Sequence, residues 1–295
     1  MKLSDIYQSD RLGLSFELFP PKTAEGETAL WRHVEQLVGF QPDFITCTYG
    51  AGGSTRSKTL EIVEQVKRRF RLPVASHLTV VGSTLEQLQE YLGEASERRV
   101  DYIVALRGDP PRGESEFRPA PGGLRYANEL VEVLRREFPQ FGVAVAGYPE
   151  VHREAVSPDD DLERLKRKVD AGADVVITQL FYDNADFFRF RERYEAAGIR
   201  APLVPGILPV TNYAQIKRIA SLCGARLPAA FIEELAACGD DEAAQLEVGV
   251  RQAAEQVREL LAAGIPGLHF YVLNKSQATG AVLRAVGRME ANAET

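Results

Sequence analysis

Eight short apolar runs alternate along the chain with longer segments of helical period. In the segment 55–70, Leu60, Val63 and Val66 are spaced to share one face of a helix. A further helix is predicted to begin at Ser157, whose hydroxyl can cap the first turn. The apolar runs predict strands at 14–19, 43–49, 73–80, 101–108, 142–148, 174–181, 202–209 and 267–274.

Strand followed by helix, repeated eight times in 295 residues, predicts a (β/α)8 TIM barrel, with residues 1–295 forming a single catalytic domain. Helical sequence between Asn212 and Ala263 predicts two or three extra helices before the last strand. A doubly wound sheet is the alternative. It accounts less well for eight units of even size, and no GxGxxG motif follows the first strand.

Composition is that of an ordinary soluble enzyme. The chain is 45% apolar and 26% charged, with a formal net charge of -7, which argues against a nucleic-acid partner. No run approaches the roughly 18 apolar residues of a membrane span, so no membrane partner is expected. The three scattered cysteines lack CxxC spacing, which indicates reduced thiols and a cytoplasmic location.

Polar side chains stand at the carboxyl end of nearly every predicted strand, where barrel enzymes hold their active sites. Glu17 is the most informative, because a carboxylate in an apolar strand costs several kcal/mol unless it is paired or protonated. The four histidines show no HxH or HExxH spacing, so no metal site is expected. GAGGS, at residues 50–54, fits a tight loop better than a phosphate site. The other strand ends carry Thr48, Tyr49, His77, Thr79, Arg107, Gly108, Asp109, Tyr148, Glu150, His152, Gln179, Tyr271, Asn274 and Lys275.

Nine short motifs occur in order along nearly the whole chain. Each is weak alone, since a tripeptide such as HLT arises by chance, but the ordered set is specific. Together they resemble the methylenetetrahydrofolate reductase family in its bacterial single-domain form. Eukaryotic members add a C-terminal regulatory domain, for which this chain lacks the length. The motifs are FELFPPK, TYGAGGS, HLT, ALRGD, GYPEVH, DLERLKRKVDAGAD, TQLFYD, PGILPVTNY and HFYVLNKS.

The resemblance implies a flavoprotein that binds FAD at the open end of the barrel. NADH or NADPH would reduce the flavin in a ping-pong cycle. 5,10-Methylenetetrahydrofolate would then accept hydride from flavin N5 and leave as 5-methyltetrahydrofolate, which feeds methionine synthesis. The missing Rossmann motif agrees with this, because the nucleotide lies on a barrel. Relatives associate, so a homo-oligomer is expected.

Two carboxylates take catalytic roles by this resemblance. Glu17 aligns with the acid that protonates folate N10, and a carboxyl in an apolar strand end can hold a proton near neutral pH. Asp109 aligns with the aspartate that faces both pterin and flavin. The alternatives are an ion pair of Glu17 with a neighbouring strand, for instance with Arg107, and a turn or helix-capping role for Asp109.

The resemblance also assigns binding residues. Two amides and a cation at the mouth of the barrel, Gln179, Gln215 and Lys275, would reach folate, and Tyr271 is assigned to the same substrate site. The residues that align with the FAD site are Thr48, His77, Arg107, Gly108, Asp109, Tyr126, Ala146, Tyr148, His152, Asp161, Arg164, Arg167 and Lys168.

Two positions depart from the family pattern. Arg164 stands where relatives can have asparagine. Ile219 stands where a bacterial relative has a phenylalanine on which the nicotinamide cofactor folds, so a preference for NADH over NADPH does not follow. Without the resemblance, Arg167 and Lys168 would be interpreted as a solvated basic helix face.

Two other functions stay open: a folate-binding methyltransferase barrel without flavin, and a non-catalytic pterin-binding protein. The second is disfavoured because Glu17, Asp109 and Gln179 are all retained. The colour of the purified protein separates these functions from the reductase, because only a flavoprotein is yellow and bleaches with NAD(P)H.

Overall fold

Parallel strands alternate with helices throughout the computed structural model, which describes residues 2–8, 11–50, 55–110, 113 and 116–288. A 3₁₀ helix (Leu3–Tyr7) comes first. The strands are β1 (Gly13–Leu18), β2 (Phe44–Cys47), β3 (Val74–Thr79), β4 (Tyr102–Leu106), β5 (Gly142–Gly147), β6 (Val175–Thr178), β7 (Leu203–Val204), β8 (Gly206–Ile207) and β9 (Gly267–Tyr271). The helices are α1 (Ala24–Val38), α2 (Arg56–Phe70), α3 (Leu85–Glu97), α4 (Ala127–Glu137), α5 (Pro158–Asp170), α6 (Asn184–Ala196), α7 (Tyr213–Cys223), α8 (Ala229–Ala237), α9 (Glu242–Ala262) and α10 (Gln277–Ala285).

The strands form one parallel sheet in the order β7-β6-β5-β4-β3-β2-β1-β9-β8. The predicted strand at 202–209 is interrupted at Pro205, which has no N–H to donate to the ladder. Its two halves pair with opposite neighbours, β7 with β6 and β8 with β9. The carbonyl of Pro205 accepts a hydrogen bond from the N–H of His269 at 3.0 Å. These contacts bring the two ends of the sheet together, and the predicted (β/α)8 barrel is confirmed.

Aromatic side chains fill the end of the barrel where the strands begin. Tyr7 of the 3₁₀ helix packs there with Phe44 and Tyr102, whose rings meet edge to face at 5.5 Å. A Cβ atom at Gly13 or at Gly267 would lie 2.6 or 2.5 Å from the Tyr7 ring. Glycine at both positions therefore lets the 3₁₀ helix close this end, and the polar strand ends face the opposite opening.

Three helices precede the last strand, as predicted. Helices α7 and α8 cover an apolar cluster formed by Tyr182, Val210, Ile216, Phe231 and others.

Among the described residues, no helix is both long enough and apolar enough to cross a membrane.

The predicted start of α5 is also confirmed. The Ser157 hydroxyl accepts a hydrogen bond from the N–H of Asp160 at 3.1 Å, and Pro158 occupies the first turn. The chain reverses at Gly172, whose φ of +116° favours glycine. These local signals define where α5, which borders the candidate site, begins and where the chain leaves it.

Candidate active site

Glu17 lies on the inner face of the barrel near the carboxyl end of β1, in register with Thr46 of β2 and Tyr271 of β9. Its Oε2 atom is 3.2 Å from Nε2 of His77 and 3.6 Å from Nε2 of His269. The Glu17 side chain is 17% exposed and that of His269 is 1% exposed. The carboxylate therefore sits between the packed interior and the open end of the barrel.

A serine extends this cluster into the barrel. The Ser15 hydroxyl is 2.8 Å from Nδ1 of His269, and Ser15 is fully buried. Ser15, His269, Glu17 and His77 thus form a continuous polar line across the interior. Ser15 and His269 were not among the site residues predicted from the sequence. A signal was available, because both are polar residues in otherwise apolar strands, two residues before Glu17 and Tyr271 respectively.

The charge of Glu17 differs from the prediction. Burial raises its pKa, but the electrostatic attraction and hydrogen bonds of His77 and His269 outweigh burial and hold that pKa at about 2. The expectation of a protonated Glu17 near neutral pH is wrong, because it assumed an apolar surrounding. The alternative, in which Glu17 pairs with a neighbouring strand, agrees with the contacts of Glu17 with His269 on β9 and with His77 on β3. Its example, Arg107, is wrong because Arg107 pairs with Glu154. The cluster as a whole, rather than an isolated carboxyl, can hold and pass a proton.

Tyr271 and Gln179 line the same opening. The Tyr271 hydroxyl donates to the carbonyl of Thr178 at 2.7 Å, so its ring rather than its hydroxyl is free to face a ligand. Burial and then the charge of Glu17 raise the pKa of Tyr271 well above its usual value. The Gln179 side-chain oxygen accepts from the N–H of Leu180 at 2.9 Å. The Gln179 amide nitrogen has no partner among the described residues and can donate to a ligand.

The remaining predicted folate contacts are exposed. Gln215 lies in the first turn of α7, and Lys275 lies in the turn between β9 and α10. Asp109 is exposed after β4, and its charge helps to raise the pKa of Tyr148 after the larger effect of burial. Within the described chain, none of the three makes a hydrogen bond or ion pair with Glu17. They lie at the rim and would meet a ligand only when it spans the opening.

A cleft of about 240 Å³ adjoins the strand ends of β4 and β5. It brings together most of the residues that the resemblance assigned to FAD. The predicted residues that line it are Arg107, Tyr126, Ala146, Tyr148, His152, Asp161, Arg164, Arg167 and Lys168.

Helix α5 supplies the cations of this cleft. Arg164 and Arg167 each pair with an acidic residue one turn earlier on the exposed face. Lys168 points inward, and its ammonium group donates to the carbonyl of Ala146 at 2.5 Å. Burial lowers the pKa of Lys168 to about 8, although the charge of Asp161 opposes this. A buried cation with a single backbone partner suits an anionic ligand.

Arg107 is held across the cleft by a residue that the sequence analysis did not single out. Its two terminal nitrogens donate to the Glu154 carboxylate at 2.6 and 2.7 Å, and its guanidinium lies 5.0 Å from the Phe117 ring. This bidentate geometry fixes the plane of the guanidinium group. Glu154 had no distinguishing signal, because its partner lies 47 residues away.

Tyr148 and His152 form the aromatic wall of the cleft, edge to face at 4.7 Å. The N–H of His152 donates to the Asp161 carboxylate at 3.0 Å. Burial and then the charge of Arg107 lower the pKa of His152, so its imidazole is neutral at pH 7. A neutral ring presents a flat apolar face to a ligand.

Two predicted FAD residues, Thr48 and Gly108, have a backbone that neighbouring residues constrain. The N–H of Thr48 donates to Leu18 at 2.9 Å, and Gly108 adopts a φ of +87°. A Cβ atom on Gly108 would lie 2.4 Å from the Val81 side chain, so glycine is required for this turn. In the predicted GAGGS loop, residues 51–54 lie outside the described residues, as do 111–112 and 114–115 of the long loop after β4.

These residues fit the cofactor that the resemblance implies. Guanidinium and ammonium groups suit a diphosphate, and tyrosine and histidine faces suit stacked rings. The Thr79 hydroxyl, at the end of β3, is buried without a partner among the described residues. An unpaired buried hydroxyl is costly unless a ligand satisfies it.

Comparison with known proteins gives a consistent result. A family model described as "Methylenetetrahydrofolate reductase" matches residues 2–287. An Escherichia coli (strain K12) protein named "5,10-methylenetetrahydrofolate reductase" is 39% identical over 277 residues, which cover 94% of this chain and 91% of that protein. An Arabidopsis thaliana protein named "Methylenetetrahydrofolate reductase (NADH) 1" is 36% identical over 299 residues, which cover 98% of this chain. The chain spans about 50% of the length of that plant relative.

One solved structure supports the fold. A Clostridium thermocellum protein, described as binding two copies of 5-methyl-5,6,7,8-tetrahydrofolic acid, superposes with a TM-score of 0.66. The match covers 96% of this chain and 97% of that one at 17% identity. At this identity the likeness concerns the architecture alone.

Proposed function

The chain belongs to the methylenetetrahydrofolate reductase family, and on this premise we propose that it reduces 5,10-methylenetetrahydrofolate to 5-methyltetrahydrofolate with electrons from NADH or NADPH. One observation carries the proposal: Glu17 contacts two histidines at the opening of the barrel, beside a cleft lined by cations and rings. A proton-passing group and a cleft lined by cations and rings are what a two-substrate hydride reaction on folate needs.

The cleft beside β4 and β5 is the proposed FAD site. Lys168, Arg164 and Arg167 would hold the diphosphate, and Tyr126, which is 52% exposed, offers a ring at the rim. Bound FAD would supply the two-electron hydride chemistry through which the nicotinamide donor and the folate react in turn. Arg107, whose guanidinium group is fixed by Glu154, would position the charged groups of FAD that lie nearest to Asp109.

The residues of the Glu17 cluster would deliver the proton that the folate reaction requires. Opening of the folate five-membered ring requires a proton at N10. Because Glu17 is ionised in this surrounding, its carboxylate would take the proton from His77 or His269 in the imidazolium form, and that histidine would be left neutral. Bound ligand would exclude water from the cluster and favour transfer from carboxyl to N10, since desolvation raises a carboxyl pKa. Such an acid contributes ~10²–10⁴-fold to the rate.

Folate would lie across the opening. The free Gln179 amide nitrogen could donate to a pterin acceptor, Asp109 could accept from pterin N–H groups, and Lys275 and Gln215 could meet the glutamate tail. Tyr271 would contribute a ring face, because its hydroxyl is held by Thr178. Ile219 packs on the apolar cluster under α7 and offers no aromatic ring for the nicotinamide.

The wider setting follows from the same proposal. A single catalytic domain of this kind would act in the cytoplasm, where nicotinamide nucleotides occur and where the free thiols of Cys47, Cys223 and Cys238 stay reduced. Its product would supply methyl groups for methionine synthesis. Association into a homo-oligomer is part of the same proposal.

The test compares the wild type with Glu17→Gln in separate half-reactions. The variant should retain bound flavin and oxidise NADH with an artificial acceptor, yet lose reoxidation of the flavin by methylenetetrahydrofolate by ~10²-fold or more. Glu97→Gln, an exposed position at the far end of α3, is the matched control and should behave as the wild type.

Normal folate turnover in Glu17→Gln would remove this residue from the reaction. A wild-type protein that binds folate but cannot be loaded with FAD would overturn the reductase proposal, and would favour a methyltransferase or a pterin-binding protein.

A further inference from the structure

The side chain of Asn274 joins the ends of two neighbouring strands at the candidate site. Its Oδ1 atom accepts a hydrogen bond from the N–H of Phe19 at 3.0 Å, and its Nδ2 atom donates to the carbonyl of Phe19 at 2.8 Å. Phe19 directly follows β1, and Asn274 lies three residues after the end of β9. One side-chain amide thus binds both polar backbone groups of a single residue.

The backbone of β9 cannot make these two bonds. In the parallel ladder Glu17 stands in register with Tyr271, so the next partner of Phe19 on the same face would be Leu273. Leu273 and Asn274 instead adopt left-handed conformations, with φ of +48° and +56°. The chain turns away, and the amide of Asn274 replaces the missing peptide group.

This turn is strained and is held from its other side. Left-handed geometry is unfavourable for a residue such as leucine, and it persists only where surrounding contacts impose it. Two residues further on, the buried Ser276 hydroxyl lies 2.9 Å from Nδ1 of His33 and also contacts the Gln36 side chain on α1. The segment between β9 and α10 is therefore fixed at two points, one on β1 and one on α1.

We propose that Asn274 is a positioning residue for Glu17. Glu17 lies two residues before Phe19, so the amide extends the pairing of β1 with β9 beyond both strand ends. That pairing sets the 3.6 Å separation between the Glu17 carboxylate and His269 of β9. The inference rests on the proposed function, because it assigns the separation to proton delivery in the folate half-reaction.

Asn274 should therefore affect one half-reaction only. Flavin reduction by NADH needs no proton from Glu17, whereas reoxidation by folate does. Displacement of a catalytic group by about 1 Å can cost ~10²-fold in rate. Loss of the amide should thus slow the folate half-reaction at saturating folate by ~10–100-fold, while flavin reduction stays at the wild-type rate.

Two substitutions separate the amide from the backbone strain. Asn274→Gly keeps the left-handed turn without strain but removes both hydrogen bonds. Asn274→Asp keeps the shape and the acceptor, but it places a carboxylate oxygen against the Phe19 carbonyl. Gln41→Gly is the matched control, since Gln41 is an exposed residue with φ of +54° before β2, at the opposite end of the barrel.

Anaerobic stopped-flow measurement of each half-reaction, with flavin content and thermal midpoint, gives the test. The proposal expects slow folate reoxidation in both Asn274 variants, normal flavin reduction, and a normal Gln41→Gly protein. A fast folate half-reaction in Asn274→Gly would overturn it, as would loss of flavin together with both half-reactions, which would assign Asn274 to the fold. If the wild type itself is not reoxidised by methylenetetrahydrofolate, the proposed function fails independently of Asn274.

Discussion

Substitution by alanine should change the free energy of unfolding in opposite directions at two helical glycines, Gly249 in α9 and Gly93 in α3. A Cβ atom on Gly249 would lie 1.9 Å from the carbonyl oxygen of Val210 and 2.7 Å from its carbonyl carbon. A Cβ atom on Gly93 would meet nothing within 4 Å. Both residues lie within helices, so alanine improves the local helix propensity equally at each site.

The expected magnitudes follow from these distances. At Gly93 only the propensity changes, and alanine should stabilise the protein by about 1 kcal/mol. At Gly249 the same gain is opposed by a backbone clash, which requires a shift of the helix, and overpacking of this kind costs about 1–3 kcal/mol or more. Because the obstructing atoms belong to the backbone, a side-chain rotation cannot relieve the clash. The cost should therefore lie at the upper end of this range, about 3 kcal/mol, so Gly249→Ala should lose about 2 kcal/mol net after the gain of about 1 kcal/mol in helix propensity.

The substitution at Gly249 should also reach the candidate site. One turn earlier on α9, the Gln245 side chain accepts from the N–H of Tyr213 at 2.7 Å, at the first residue of α7. A shift of α9 would move the start of α7, where Gln215 is exposed. We expect a weaker apparent affinity for folate in Gly249→Ala and no change in Gly93→Ala.

Urea unfolding followed by circular dichroism at pH 7 would give the free energy of unfolding of each variant relative to the wild type. Equal stabilisation by both alanines would show that α9 has room at Gly249. Such a result would refute the predicted clash at Gly249 and the predicted shift of α7 with Gln215.

Two further predictions concern pH. The pKa of Glu17 is held at about 2 because His77 and His269 outweigh burial, so its contribution to stability is complete above pH 4.5 and is lost as pH falls toward 2. The stability difference between wild type and Glu17→Gln should therefore shrink by roughly 3 kcal/mol across that range, and a constant difference in urea titrations from pH 3 to 6 would contradict this. Burial lowers the pKa of Lys168 to about 8, so retaining its charge destabilises the folded state below pH 8. Wild-type stability relative to Lys168→Met should rise by roughly 1–3 kcal/mol between about pH 8 and 10.5, and a falling difference in the same assay would exclude a buried charge.

Local patterns were sufficient to predict the architecture. The alternation of strands and helices depends only on short-range hydrophobic patterns, and the cap at Ser157 depends only on neighbouring residues. Both predictions were therefore correct. The predicted seventh strand was placed correctly, but its division at Pro205 was not foreseen. A proline can end a strand or sit within one, and which occurs depends on the neighbours β6 and β9.

The ordered motifs also identified the family and, through it, most of the cleft residues. The strand pattern by itself determined that Glu17 and Arg107 would lie at the same end of the molecule, because the barrel brings all strand ends to one opening. Lys168 lies on α5, and only the resemblance assigned it to the same site.

Only the tertiary structure decided what those residues contact. Glu17 was expected to be protonated in an apolar strand, whereas His77 and His269, 60 and 252 residues away along the chain, keep it ionised. Likewise, only the tertiary structure shows that Glu154 binds Arg107 and that Asn274 binds the backbone of Phe19. A pKa or a hydrogen bond depends on atoms within a few ångströms, and in a closed barrel the nearest atoms come from strands that the chain itself does not place side by side.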